Sequence, residues 1–140
     1  MISLKNPRKK QAVNKPRVKL ITSFGNAIDG AVYVVSHERN AQIHFVVSLA
    51  VIALGIWLKL NIWQWALVLL AIGLVFTSEM LNTVVELLVD LSTQEIHPLA
   101  KHAKDVAAGA VLLMAVVSAT IGFLVLGPPL LSRLSLIIIG

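Results

Sequence analysis

Residues 62–90 read IWQWALVLLAIGLVFTSEMLNTVVELLVD. Seventeen mostly apolar residues run without a charge into Glu79, and apolar positions then continue at helical spacing to Asp90. A helix needs about 20 predominantly apolar residues to cross a bilayer. The run 62–78 is therefore marginal alone and suffices only if the helix continues through the acids. At 100° per residue, Glu79, Asn82, Glu86 and Asp90 fall within an arc of roughly 80°. Leu81, Val84, Val85, Leu88 and Leu91 take the opposite face. The sequence thus predicts one helix over about 62–91, apolar first and striped with acids afterwards.

Working outward, Lys59-Leu60-Asn61 reads as a short turn, preceded by the apolar segment 43–58 (IHFVVSLAVIALGIWL). Trp57, Trp63 and Trp65 flank that turn and suit a membrane–water interface. On the other side, residues 106–126 hold no charge in twenty-one positions and qualify outright as a span. Residues 20–39 place Leu20, Phe24, Ala27, Ile28, Ala31, Val34 and Val35 at helical spacing, as in an amphipathic helix lying in the interface. Pro128-Pro129 are expected to end the last helix. The expected protein is all-α and integral to the membrane. It has a basic arm 1–19, a surface helix 20–39, spans at about 41–58, 62–91 and 98–127, and a tail 128–140.

Composition points the same way. Of the 140 residues, 57% are hydrophobic and 14% charged. Soluble domains carry about 25% charged residues, so this chain lacks the polar surface of an ordinary cytosolic enzyme. Cysteine is absent, which excludes disulfides and thiolate metal sites. The net charge is +5, and seven of the twelve Lys and Arg lie in the first nineteen residues. That basic stretch has no apolar segment or cleavage site behind it, so it is not read as a secretory signal. Without aromatic interleaving, it is also not read as a nucleic-acid-binding arm. The positive-inside rule puts it in the cytoplasm of a cell-membrane protein. All seven acids and all four histidines then fall on the cytoplasmic side.

An acid at the depth of Glu79 is costly without a partner, a cation or water. Two acids and an amide on one face suit a hard cation such as Mg²⁺, which takes oxygen ligands, although transporters use similar stripes for ions. Asp90, at the end of the stripe, suits a solvated position. Residues 97–105 read HPLAKHAKD, with Pro98 at a helix start and Lys101, Lys104 and Asp105 on one face. Free N–H groups and two lysines there favour phosphate. Lys101 also suits snorkelling to headgroups. Glu38, in HERN (37–40), is a further candidate cation ligand. The histidines lack zinc-site spacing. Cation-binding acids beside an anion-binding helix start describe a site for a metal–nucleotide complex, the electrostatic centre of phosphoryl transfer. The rival reading is a small oligomeric cation or proton channel or transporter using Glu79 and Glu86.

ExxNTxxE (Glu79, Asn82, Thr83, Glu86), then Asp90, then HPLAKxAKDxAAGAVL from His97 to Leu112, resembles the small prokaryotic diacylglycerol kinase and undecaprenol kinase family. The ERN of Glu38-Arg39-Asn40, preceded by Gly30, fits its first block, and HPLAK is closer to the undecaprenol kinase branch. The resemblance spans about residues 20–125. It implies a homotrimeric helical bundle with active sites shared between subunits, ATP as co-substrate, Mg²⁺, and a membrane-embedded lipid alcohol as acceptor. It also implies Glu79 as the catalytic base, with Glu38 and Glu86 on the metal. Gly30, Glu38, Asn82, Glu86, Lys104 and Asp105 would be at the nucleotide, and Glu79 and Asn82 at the acceptor. Asn26 would also lie near the nucleotide. His44 stands where the proteobacterial branch has an acid, which weakens a diacylglycerol assignment.

Overall fold

The structure, a computed structural model, describes residues 20–93, 95 and 97–139. The basic arm 1–19 lies outside the described residues. The elements are α1 (Leu20–His37), α2 (Arg39–Leu58), α3 (Ile62–Ser92) and α4 (Pro98–Ile139). The last three are long and apolar enough to cross a membrane, which makes this an all-helical membrane protein.

The break between α1 and α2 is a single residue. Glu38 adopts an extended conformation (φ −96°, ψ 117°). Near the end of α1, Ser36 Oγ donates back to the carbonyls of Val32 (2.7 Å) and Tyr33 (3.0 Å), and Gln42 Nε2 donates to the open Ser36 carbonyl (3.2 Å). Such local bonds give the backbone an alternative to helix continuation, and they leave Glu38 at a corner.

The turn between α2 and α3 is tightly specified. Lys59 takes the left-handed conformation (φ 57°), and its N–H and that of Leu60 close on the carbonyls of Ile56 and Gly55. Asn61 Oδ1 accepts from the N–H of Trp63 and Gln64, both at 3.0 Å, while Gln64 Oε1 accepts from Asn61 N–H at 2.9 Å. This reciprocal cap satisfies donors that a helix start would otherwise leave open. Leu58, Leu60, Val68, Val125 and Leu126 form a buried apolar cluster beside the turn. Gly55 leaves room there: a Cβ would meet Leu60 Cδ1 and Trp65 Cη2 at 3.0 Å each, so those side chains would have to shift.

Antiparallel packing of α3 on α4 dominates the tertiary structure, with α2 set more sparsely against both. Ser118 Oγ donates to the Ala71 carbonyl at 2.9 Å and ties the two long helices together. Large apolar side chains such as Leu69, Leu70, Leu113 and Phe123 point outward, as expected of helices solvated by lipid or covered by neighbours.

One boundary differs from the sequence expectation. The last helix does not end at Pro128-Pro129 but runs through both prolines to Ile139, so residues 128–139 continue α4 instead of forming a separate tail. Helices in apolar surroundings tolerate proline because breaking the helix would expose still more unpaired backbone. Ser132 Oγ returns a hydrogen bond to the Pro128 carbonyl at 3.1 Å.

Candidate active site

Twenty residues counted from Ile62 reach Leu81, so a hydrocarbon layer entered at the turn ends close to Glu79. Glu79 is nonetheless 1% exposed, and its Oε1 has no hydrogen-bond partner. The polar groups beside it are occupied elsewhere. Ser78 Oγ donates to the Val75 carbonyl (2.8 Å), and Thr83 Oγ1 donates to the Glu79 carbonyl (3.0 Å). Asn82 Nδ2 donates to Glu86 Oε1 at 2.8 Å, and Asn82 Oδ1 is buried without a partner. The helical arc read from the sequence is therefore real. It is buried where it faces the other helices, and one carboxylate oxygen and one amide oxygen there have unmet demands.

Glu38 reaches this cluster from the α1–α2 corner. It and Glu86, both half-buried, lie within electrostatic range of Glu79. His44 on α2 supplies the contact nearest the carboxylate, with Nε2 3.4 Å from Glu79 Oε1. The structure thus brings Glu38, Glu79, Asn82 and Glu86 together. Among the described residues no set of three or more His, Asp or Glu forms a metal cage. The donors still fit Mg²⁺, which binds through one or two carboxylates and completes its shell with water and phosphate oxygens.

The second group lies further along. Lys104 Nζ meets Asp90 Oδ1 at 2.6 Å. Asp90 is one helical turn beyond Glu86, roughly 6 Å along the axis. Lys104 and Asp105 border a cavity of about 520 Å³ with Asp90, Lys101 and His97, at the α3–α4 connection. Gly30 is exposed on α1, where a Cβ would meet nothing within 4 Å. Among the described residues, no side-chain hydrogen bond or ion pair joins Gly30 or Asp105 to Glu79, Asn82 or Glu86.

On the turn side of Glu79, an apolar cavity of about 450 Å³ lies between α2, α3 and α4. It is lined by Ile43, Val47, Val75, Ala115 and Gly122 among others, with His44 at its border. Sequence reasoning missed the His44–Glu79 contact and the Asp90–Lys104 pair. Both join different helices, and helical periodicity carries no information about such contacts.

A helical membrane protein with a buried carboxylate at one end of its spans, beside further acids and an apolar cavity, is built to act on a molecule that is polar at one end and hydrocarbon at the other. The family described as prokaryotic diacylglycerol kinase matches residues 25–126, and the chain belongs to it. Among its relatives is the undecaprenol kinase of Bacillus subtilis, 44% identical over 112 residues, covering 80% of this chain and 91% of that one. A diacylglycerol kinase of Synechocystis is 41% identical over 135 residues, covering 90% of this chain and 77% of that one. The protein is a lipid kinase. The channel reading gains no support from these relatives.

Proposed function

We propose that the protein transfers the γ-phosphoryl group of ATP to the hydroxyl of a membrane-embedded lipid alcohol, with undecaprenol as the first candidate and diacylglycerol as the second. The observation that carries this reading is Glu79, a buried carboxylate with an unpartnered oxygen set between an apolar cavity and two further acids. A hydrocarbon chain in the cavity would bring its terminal hydroxyl to the carboxylate. Glu79 takes the hydroxyl proton as the oxygen attacks phosphorus. General bases of this kind contribute about 10²–10⁴-fold.

Glu38 and Glu86 hold Mg²⁺, which when bound neutralises charge on the phosphate oxygens. Asn82, fixed by its bond to Glu86, offers its free Oδ1 toward the reacting groups. Lys104 exchanges Asp90 for phosphate oxygens when nucleotide binds, and Asp105 and Gly30 border the nucleotide. Because Lys104 pairs with Asp90, about three turns of α3 beyond Glu79, a homotrimer that completes each site between subunits suits the arrangement. The outward-facing apolar side chains supply surface for it. α1 lies in the interface, and the N-terminus and site face the cytoplasm of the cell membrane, where ATP is.

Purified protein in detergent micelles, given labelled ATP, Mg²⁺ and a panel of lipid alcohols, tests the reading. The expected result is phosphate transfer to undecaprenol in preference to diacylglycerol. Transfer to diacylglycerol alone would reverse the order of acceptors, and transfer to none would remove the reading.

A further inference from the structure

Each turnover leaves a proton on the base, and that proton has to go somewhere before the next one. Glu79 is 1% exposed, so water does not reach it freely. The hydroxyls of Ser78 and Thr83 already donate to backbone carbonyls, and the Asn82 amide donates to Glu86. Three elements face the carboxylate. The α1–α2 corner presents Glu38, α3 presents Glu86, and α2 presents His44. The part of α4 that packs beside Ser78 and Asn82 lies within residues 106–126, which contain no charged residue. Glu38 and Glu86 are anionic and, in the reading above, occupied by metal. His44 is the remaining group with a free lone pair. Its side chain is 25% exposed, against 2% for that of Glu79.

We infer that His44 is the proton outlet for Glu79, an inference that rests on Glu79 being the base. The lipid O–H bond breaks, its oxygen bonds to phosphorus, and the proton passes to the Glu79 carboxyl. The Oε1–H bond then breaks and the proton joins His44 Nε2. The imidazolium loses its Nδ1 proton to water, Glu79 is again a carboxylate, and exchange of the ring proton from Nε2 to Nδ1 through water restores the starting tautomer. The Nε2–Oε1 separation of 3.4 Å is longer than a formed hydrogen bond, as is common at catalytic contacts before substrate binds. Histidine suits the task because its unperturbed pKa, about 6.5, lets it take and release a proton near neutral pH. His44 acts through Glu79 and touches neither phosphate nor metal.

The test uses the full-length protein in micelles with ATP, Mg²⁺ and the acceptor found above. His44→Gln keeps a polar group of similar reach that cannot carry the proton. His44→Ala opens space for a diffusible base. Expected are a kcat at least tenfold lower in both variants and KM for ATP and lipid within twofold of wild type. Added imidazole should raise kcat severalfold in His44→Ala and leave wild type unchanged. If His44→Ala does not fold, as judged by its melting in detergent, the kcat and KM of His44→Gln decide. A kcat for His44→Gln within twofold of wild type would overturn the inference, as would a loss carried mainly by KM and unmoved by imidazole. A wild-type protein inactive on every lipid alcohol would instead overturn the reading of the site, and this inference with it.

Discussion

The two ends of α3 obey opposite rules. At the turn end, Asn61 and Gln64 satisfy each other's backbone, Lys59 and Leu60 close the preceding helix, and leucines and valines from both flanking helices, the turn and α4 form a buried cluster. At the acidic end, Glu79 Oε1 and Asn82 Oδ1 are buried and unpaired, and like-charged carboxylates lie near one another. A buried polar atom without a partner costs about 1–3 kcal/mol, so the first end contributes stability and the second draws on it. Strain and unmet hydrogen bonding concentrate where function does. Substitutions at the two ends should therefore separate cleanly, those at the turn end changing stability and those at the acidic end changing activity.

The largest separation is expected at Glu79. Glu79→Gln should lower phosphate transfer by about 10²–10⁴-fold, with nucleotide binding and melting temperature preserved. Loss of fold instead of activity would break the comparison. Gly55→Val is its counterpart. It should cost about 1–3 kcal/mol by overpacking, seen in detergent unfolding, with the activity of the folded fraction unchanged. Glu86→Gln should raise the Mg²⁺ concentration for half-maximal activity by about tenfold or more. An unchanged Mg²⁺ titration would take Glu86 out of the metal site. Asn61→Ala should cost about 1 kcal/mol of stability through the lost cap, again without a change in kcat. The smallest effect is expected at Asp90. It and Lys104 form an exposed pair, so Asp90→Asn should shift unfolding by less than about 1 kcal/mol.

The same contrast explains what could be read from sequence. The spans and the turn at 59–61 follow from hydropathy, tryptophan placement and helical spacing, all properties of neighbouring residues, whereas the break at Glu38 falls inside the stretch 20–39 read as one helix. The shared arc of Glu79, Asn82 and Glu86 follows from one angle per residue. What stayed hidden depends on which helix lies beside which. His44 was visible only as a departure from the proteobacterial pattern, because its partner is thirty-five residues away. Asp90 read as solvated. It is exposed, but it is also held by Lys104. Prolines such as those at 128 and 129 end helices in water, where a broken helix is readily hydrated. Beside an apolar core the unpaired backbone is the larger cost, and the helix carries on.

The hydrogen bond from Ser118 to the Ala71 carbonyl has a mechanical consequence. Ala71 lies nine residues from the start of α3 and twenty-one from its end, arms of roughly 14 and 32 Å at 1.5 Å per residue. A long rod fastened off-centre is a lever. Any small rocking of α3 about that fastening sweeps the Ser92 tip more than twice as far as the tryptophan tip. The longer arm is the one that carries Glu79, Asn82 and Glu86.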